Sequence, residues 1–487
     1  MGSHFGNKGH GILNLKYNAV ISCSLMISFV ACCEASIGRL GNVPGNVHYA
    51  NPALEDVQAA INSAKPGDTV FVRAGTATWE KSPPAWAKGC LHITKGINLV
   101  GAGIGKTIIT SNYIGQYSDD PKDPRNFLIT YNPTDPSLDS PFRISGFTFD
   151  FAHKCYGIEL YGPGVYLTYV DEPQTKIRID NNQFVNIPHG PNGPNIFIKG
   201  PYYGVIDGNQ FMDGGINCNG TNATEWGSTD PRVSTFEYGS PYSMYIEDNS
   251  FVLEPSDVAI LIYGCDGARY CFRYNTVDGT ALSEGLKPVC DMHGNQDDSK
   301  ENGVFGAEVY ENTITAHEGY IVDHRGGKLL CYNNHATVTS PTWSIHVTEE
   351  HNDYAGPSPF VSATSQQHQF VTDSYYWGNT RTYRESTGPI SAIYILQTFN
   401  YASYNIGFNI VPTPDKNFWS EPTIDDPYTY DGSHGLGFGP ISSRPSNPTL
   451  EGTAWWDTVN RMLYRWHNSA WEVYYTPYRY PHPLRNN

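Results

Sequence analysis

Two short stretches hold most of the reactive side chains of this chain: Val289-Cys290-Asp291-Met292-His293-Gly294 and Ile321-Val322-Asp323-His324-Arg325-Gly326. Each alternates apolar and variable residues and closes on a glycine. Successive side chains of a strand point to opposite faces, so Asp291 and His293 share one face of the first stretch, and Asp323 and Arg325 share one face of the second. A base, a guanidinium and two carboxylates on neighbouring strands suit two chemistries. His293 can take a proton while Arg325 neutralises a carboxylate, which is what β-elimination at a uronate requires. Alternatively, Asp291 and Asp323 would stand near the roughly 5–5.5 Å separation of a retaining glycoside hydrolase. The same two aspartates could also ligate a calcium ion, the one cofactor the pattern suggests.

The same alternation recurs upstream, in Ile158-Glu159-Leu160-Tyr161-Gly162, Ile196-Phe197-Ile198-Lys199-Gly200 and Ile260-Leu261-Ile262-Tyr263-Gly264, with Thr235-Phe236-Glu237-Tyr238-Gly239 as a weaker copy. Stacked as strands, the residues before the glycines make one outward column: Tyr161, Lys199, Tyr238, Tyr263, His293, Arg325. The column two residues earlier is Glu159, Phe197, Phe236, Leu261, Asp291, Asp323. At a strand spacing of ~4.8 Å, six such coils make a groove roughly 24 Å long, enough for several sugar units of a polysaccharide. In that groove Tyr263 is a further catalytic candidate, a second base beside His293, and Lys199, Tyr161 and Tyr238 are substrate-binding candidates. A plain solvated face is the competing reading, since exposed Asp–Arg pairs contribute little. Function is favoured where the columns change from Tyr, Phe and Leu to Asp, His and Arg. His324 falls on the inward side and reads as an interior residue.

A second motif punctuates the coils: Asn182-Gln183-Phe184, Asn209-Gln210-Phe211, Asn249-Ser250-Phe251, Asn275-Thr276-Val277, Asn312-Thr313-Ile314 and Asn334-His335-Ala336, spaced 22 to 40 residues apart. Each follows one glycine-closed strand. Asparagine tolerates left-handed backbone and bonds neighbouring backbone, so the series predicts a structural Asn ladder at a solenoid corner.

Composition agrees with this organisation. Of 487 residues, 48 are Gly, 34 Pro and 34 Tyr, with only 16% charged, which describes a turn-rich β protein. A net charge of −17 argues against nucleic acid and against an anionic membrane surface. Lys8 and Lys16 precede an apolar run from Ala19 to Cys33, too short to span a membrane comfortably and suited to a secretory signal. Residues 1–35 are therefore expected to be a signal peptide cleaved after Ala35, with lipid attachment at Cys32 as the alternative. Either way the protein is expected to be secreted or held at the cell surface. Cys90, Cys155, Cys218, Cys265, Cys271, Cys290 and Cys331 remain. Their number is odd and their spacing fits no metal site, though Cys265 and Cys271 could bridge a loop.

In the mature chain, Leu54 to Ala64 has the apolar spacing of a short amphipathic helix, and Lys65-Pro66-Gly67-Asp68 breaks it before the strand Thr69-Val70-Phe71-Val72. A helix there would cover the open end of a solenoid. From Asp56-Val57-Gln58-Ala59-Ala60-Ile61 through Gly67-Asp68-Thr69-Val70-Phe71-Val72 to Ile93-Thr94-Lys95-Gly96-Ile97-Asn98-Leu99-Val100-Gly101-Ala102-Gly103, the chain resembles the entry of right-handed parallel β-helix proteins of the pectate-lyase-like superfamily. That resemblance implies an all-β solenoid over residues 36–411. The segment Gly319 to Asn334 is similar to the arginine-bearing coil of the alginate lyase and chondroitinase B family, which implies the role of the active-site arginine for Arg325. That family's catalytic lysine has no counterpart in the preceding coil, which leaves His293 or Tyr263 as the base. Gly101-Ala102-Gly103-Ile104-Gly105-Lys106-Thr107 imitates a phosphate-binding loop but carries Val100 where that loop needs glycine, and Ile108-Ile109-Thr110 reads as a strand. A turn between rungs is expected.

Residues 412–449, rich in Pro, Gly, Ser and Asp, read as a loop packed along the helix or a linker. In 450–487, Gly452 to Thr458 and Leu463 to Val473 resemble short β-hairpin units of phage tail and surface proteins, and are expected to form an aromatic cap or a sugar-binding module before an extended tail at Tyr478 to Leu484. Asn219-Gly220-Thr221 and Asn222-Ala223-Thr224 are glycosylation sequons, and Asp297-Asp298 reads as solvated or as a calcium contact. Three functions stay open: a polysaccharide lyase on a uronate-containing glycan, a glycoside hydrolase using Asp291 and Asp323, and a solenoid that binds glycan or partner chains without catalysis.

Overall fold

The computed structural model of the chain describes residues 45–79, 91–111, 127–152, 156–161, 173–186, 194–220, 236–253, 260–282, 285–286, 288–294, 303–348, 371–395 and 412–486. The targeting segment, Cys90, Cys155, the second sequon and Asp297-Asp298 lie outside the described residues.

Short β-rich segments broken by turn residues visit three sheets in rotation and return to the first one rung further on. The result is a parallel β-helix. A 12-stranded sheet, the cap face, runs from Val47–Ala50 to Phe418–Ser420; a 10-stranded sheet, the site face, from Leu91–Ile93 to Ala392–Ile395; and an 11-stranded sheet, the corner face, from Gly75–Trp79 to Ser386–Pro389. Pairing in all three is parallel among the described strands, apart from the closing hairpin of Thr380–Tyr383 with Ser386–Pro389. Period-two alternation sends one residue set inward, where like stacks on like. On the cap face the inward column is Ile144, Ile179, Ile206, Ile246, Phe272 and Val309, all in register and fully buried. Phe149, Phe184, Phe211 and Phe251 stack on the corner face at 5.5, 5.0 and 4.6 Å between ring centroids. Each such side chain removed from water contributes about 1.5–3 kcal/mol.

The asparagine ladder forms as expected and gains a seventh member. Asn182, Asn209, Asn249, Asn275, Asn312 and Asn334 each donate backbone N–H and side-chain Nδ2–H to the Oδ1 of the next, ending on Asn379. The corner itself is turned by the residue before each ladder asparagine. Asn181, Gly208, Asp248, Tyr274, Glu311, Asn333 and Gly378 all have φ between 52° and 64°. The asparagines are selected by their stacked hydrogen bonds, and left-handed backbone is a property of their neighbours.

The predicted helix is present as Leu54–Ser63 and buries Val57, Ala60 and Ile61. It is not the first element, because Val47–Ala50 precedes it and pairs with Thr69–Val72. The phosphate-loop imitation is a turn leading into the strand Thr107–Ser111. Gly101 is required there by packing, since a Cβ would lie 2.4 Å from the Gly146 carbonyl oxygen. Cys265 and Cys271 are both free and buried, on strands of the site face and the cap face respectively, so the bridge open to them in the sequence does not form.

The 412–449 segment packs along the helix and supplies Phe418–Ser420, the last strand of the cap face. Leu436–Gly439, Ala454–Asp457, Met462–His467 and Ala470–Tyr475 then form a four-stranded sheet. The aromatic cap is therefore a lateral cover. Trp419, Leu436, Trp456, Leu463 and Tyr475 pack on the outward residues Val205, Tyr245, Cys271, Tyr310, Tyr332, Tyr375 and Trp377 of the cap face. The tail continues along the same face. Arg273 donates to the carbonyls of Tyr478 and Arg479, Arg178 to that of Leu484, and Arg485 bonds Glu247 and Asp207.

Candidate functional site

Strand register decides which side chains meet on the site face. Phe197 aligns with Asn217, Asn217 with Tyr263, Tyr263 with Asp291, Asp291 with Asp323, Asp323 with His346, and His346 with Tyr394. The adjoining column holds Tyr161, Lys199, Asn219 and Cys265, followed by His293 and Arg325, which succeed the paired Met292 and His324.

Two expectations are corrected by this register. Tyr263 belongs with Asp291, not with His293, so its strand is displaced by two residues from the expected alignment. The cause is Gly264, which does not close the strand. It sits inside it, where a Cβ would come within 2.8 Å of the Tyr270 ring, and the strand runs on to Cys265. Tyr238 is not in the groove. The coil assigned to it is made by Gly215–Asn219, while Tyr238 packs edge-on against Phe236, Tyr474 and Tyr475 and donates its hydroxyl to the Asp373 carbonyl under the C-terminal sheet. Its phenol is pushed far up by burial, so it neither faces a substrate nor ionises. The number of coils from Tyr161 to Arg325 is still six. Lys199 lies three rungs from His293, about 14 Å along the axis, and can reach only a distant sugar. Tyr161 shares the Lys199 column.

Asp291, His293, Asp323 and Arg325 do come together. Arg325 Nη2 lies 2.6 Å from both Asp291 oxygens, and Nε 3.0 Å from Oδ1. His293 Nε2 is 3.1 Å from Asp291 Oδ2, and Arg325 Nε is 3.7 Å from Asp323 Oδ2. Asp291 is 2% exposed, so burial alone would raise its pKa. His293 and Arg325 outweigh that and hold it below the usual carboxylate range. A carboxylate only accepts hydrogen bonds, so in the neutral ring Nε2 carries the proton and Nδ1 is the basic atom. Tyr263 lies tilted over the His293 ring at 4.4 Å. His324 points inward, donating from Nε2 to the Gly327 carbonyl and accepting from the Tyr376 hydroxyl, and burial pushes it down to about 4.

A β-bulge aims this cluster. Tyr320 pairs with Ser344 and Asp323 with His346, so the strand Gly319–His324 carries one residue more than its neighbour. Ile321 and Val322 both turn into the core and are fully buried, which rotates Tyr320 and Asp323 onto the outer face. Bulges re-aim side chains in this way. Tyr320 stacks on His346 at 3.7 Å and 14°. Burial, with Asp323 and Asp291 adding to it, raises the Tyr320 phenol well above its ordinary value, so it stays protonated. The glycine-closed pattern does not reach His346, because Trp343-Ser344-Ile345-His346-Val347 ends without a glycine, and the bulge hides Tyr320 from period-two alternation. The signal available for His346 was the alternation of its strand, with Trp343, Ile345 and Val347 buried and His346 outward.

At the two aspartates expected to ligate calcium, both Asp291 oxygens face the Arg325 guanidinium, and among the described residues no group of three or more His, Cys, Asp or Glu side chains could hold a metal. No helix among them is long and apolar enough to cross a membrane.

No protein-family model matches the chain, and no curated protein matches it in sequence. Among solved structures it is similar to the mannuronan C-5 epimerase AlgE4 A-module of Azotobacter vinelandii, at 14% identity over 69% of this chain and 88% of that one, with a TM-score of 0.29. It is also similar to ORF18 of Geobacillus virus E2, at 13% identity over 96% of this chain and 92% of that one, with a TM-score of 0.27.

Proposed function

We propose that this chain acts on a polysaccharide along the site face, and that the cluster at Asp291 removes the C5 proton of a uronate residue so that the glycan is cleaved by β-elimination. The observation that carries this reading is the single buried carboxylate of Asp291 gripping both His293 and Arg325. Asp291 fixes the imidazole so that its basic nitrogen is Nδ1. The Arg325 charge favours the enolate formed when His293 takes the proton, and the protonated Tyr320 phenol can donate to the leaving glycosidic oxygen. A positioned base of this type contributes about 10²–10⁴-fold. The hydrolase alternative loses support from the same contacts. A general acid needs a raised pKa, whereas that of Asp291 is held low and both its oxygens are engaged by Arg325.

Reprotonation of the same enolate from the opposite side would invert C5 instead of breaking the chain. Tyr320 and His293, two proton-handling groups carried on adjacent coils, favour keeping that second reading. The test is turnover on a panel of uronate-containing and neutral polysaccharides in D₂O. Elimination gives an unsaturated chromophore, inversion gives deuterium at C5 without new ends, and His293→Ala should lower either rate at least about 100-fold. Absence of both products on every uronate glycan refutes the proposal and leaves a binding solenoid.

A further inference from the structure

One side-chain row on the site face is left over after the ion cluster is accounted for. Immediately beyond Asp323 the central column turns aromatic, with His346 and then Tyr394 on the next two rungs. Tyr320 leans over His346 in a parallel stack, and Tyr394 meets His346 edge-on at 5.6 Å. Tyr394 is 39% exposed on the last strand of this sheet. Burial lowers His346 to about 4, so the imidazole is a neutral aromatic ring at ordinary pH. Inward, the same strands are filled by Trp343, Ile345 and Val347, which fixes the row in place. Rungs rise by roughly 4.8 Å, close to the length of one pyranose, and the C–H faces of pyranoses are the apolar surfaces that aromatic rings accept.

We propose that His346 and Tyr394, with Tyr320 packed behind His346, form a stacking subsite for the sugars that extend from the reacting residue toward the C-terminal end of the helix. The inference rests on the reading of the Asp291 cluster as the polysaccharide site, and it adds a direction: the chain lies along the helix axis, with the aromatic row holding one flank by shape and ring contact in place of charge.

Equilibrium binding and initial rates should be measured with short and long oligomers of mannuronate, guluronate and galacturonate for the wild type, Tyr394→Ala and Tyr394→Phe. Expected is an about tenfold weaker affinity of Tyr394→Ala for long oligomers, of the size a lost ring contact gives, with unchanged affinity for the shortest, raised KM, unchanged kcat and full recovery in Tyr394→Phe. Equal affinity of wild type and Tyr394→Ala for long oligomers overturns the subsite, as does loss in Tyr394→Phe, which would assign the effect to the hydroxyl. Length-dependent binding lost in Tyr394→Ala without turnover in any variant keeps the subsite and removes the proton-abstraction reading. Turnover with unmoved long-oligomer affinity does the reverse. No saturable binding of any oligomer to the wild type overturns both.

Discussion

At the scale of single residues, Asp291 organises the site. Two cationic or basic groups depend on one carboxylate, and all three are largely withdrawn from water. Asp291→Ala would leave the largely buried Arg325 with only the longer Asp323 contact, 3.7 Å from its Nε, so the loss should stay below the about 3–5 kcal/mol of a fully uncompensated buried charge, and urea unfolding should show it at neutral pH. Because His293 and Arg325 depress the Asp291 pKa, its contribution is present above the ordinary carboxylate range and vanishes as pH falls through the depressed value. The stability difference between wild type and Asp291→Asn should therefore shrink only in strong acid. The pairings of this cluster were legible in the sequence, since Asp291, His293, Asp323 and Arg325 stand in two copies of one pattern. Tyr320 was not, because a bulge puts two consecutive residues, Ile321 and Val322, inside, and period-two reasoning cannot anticipate an inserted residue.

At the scale of elements, the corner asparagines and the strand registers decide where those residues land. Asn275→Ala would strip the acceptor from the N–H and Nδ2 of Asn249 and free the carbonyls of Ile246 and Arg273. At ~1–3 kcal/mol for each buried group left unpaired, thermal unfolding should register a loss of at least about 3 kcal/mol. Asn182, at the ladder's N-terminal end, has no ladder asparagine donating to it among the described residues and should cost less. The ladder was readable because Asn-x-apolar repeats have one plain structural use. Register was harder. Gly264 and Gly200 look alike in sequence, yet Gly264 makes room for Tyr270 within a strand, and only the packed neighbour reveals it. Tyr238 was misplaced for a related reason: its alternation is real, but the aromatic faces it serves lie more than 200 residues later, at Tyr474 and Tyr475.

At the scale of the whole molecule, the C-terminal sheet and tail convert a ladder of local contacts into one body. Glu308, buried beneath that cover, accepts from the Gly239 N–H and the Tyr475 hydroxyl. Burial raises its pKa, against the opposing pull of those two donors and of Arg273. A raised carboxyl pKa gives stability that is present at low pH and lost as pH rises through the folded value. Relative to wild type, the Tm of Glu308→Gln, which keeps only one of the two acceptor oxygens, should accordingly be higher at about pH 8 than at about pH 5, by differential scanning fluorimetry. Removal of residues 476–487 should lower Tm and expose the buried Arg178 and Arg273, with increased binding of a hydrophobic dye. A bare solenoid pulled from its end would surrender its rungs one after another, each break involving only the next neighbour. Here Arg273 is tied to a carbonyl 205 residues further along the chain and Arg178 to one 306 residues along, so tension applied at the last coils is carried by many rungs in parallel. The molecule should yield in an optical trap as one large rip, and as a staircase once the tail is cut.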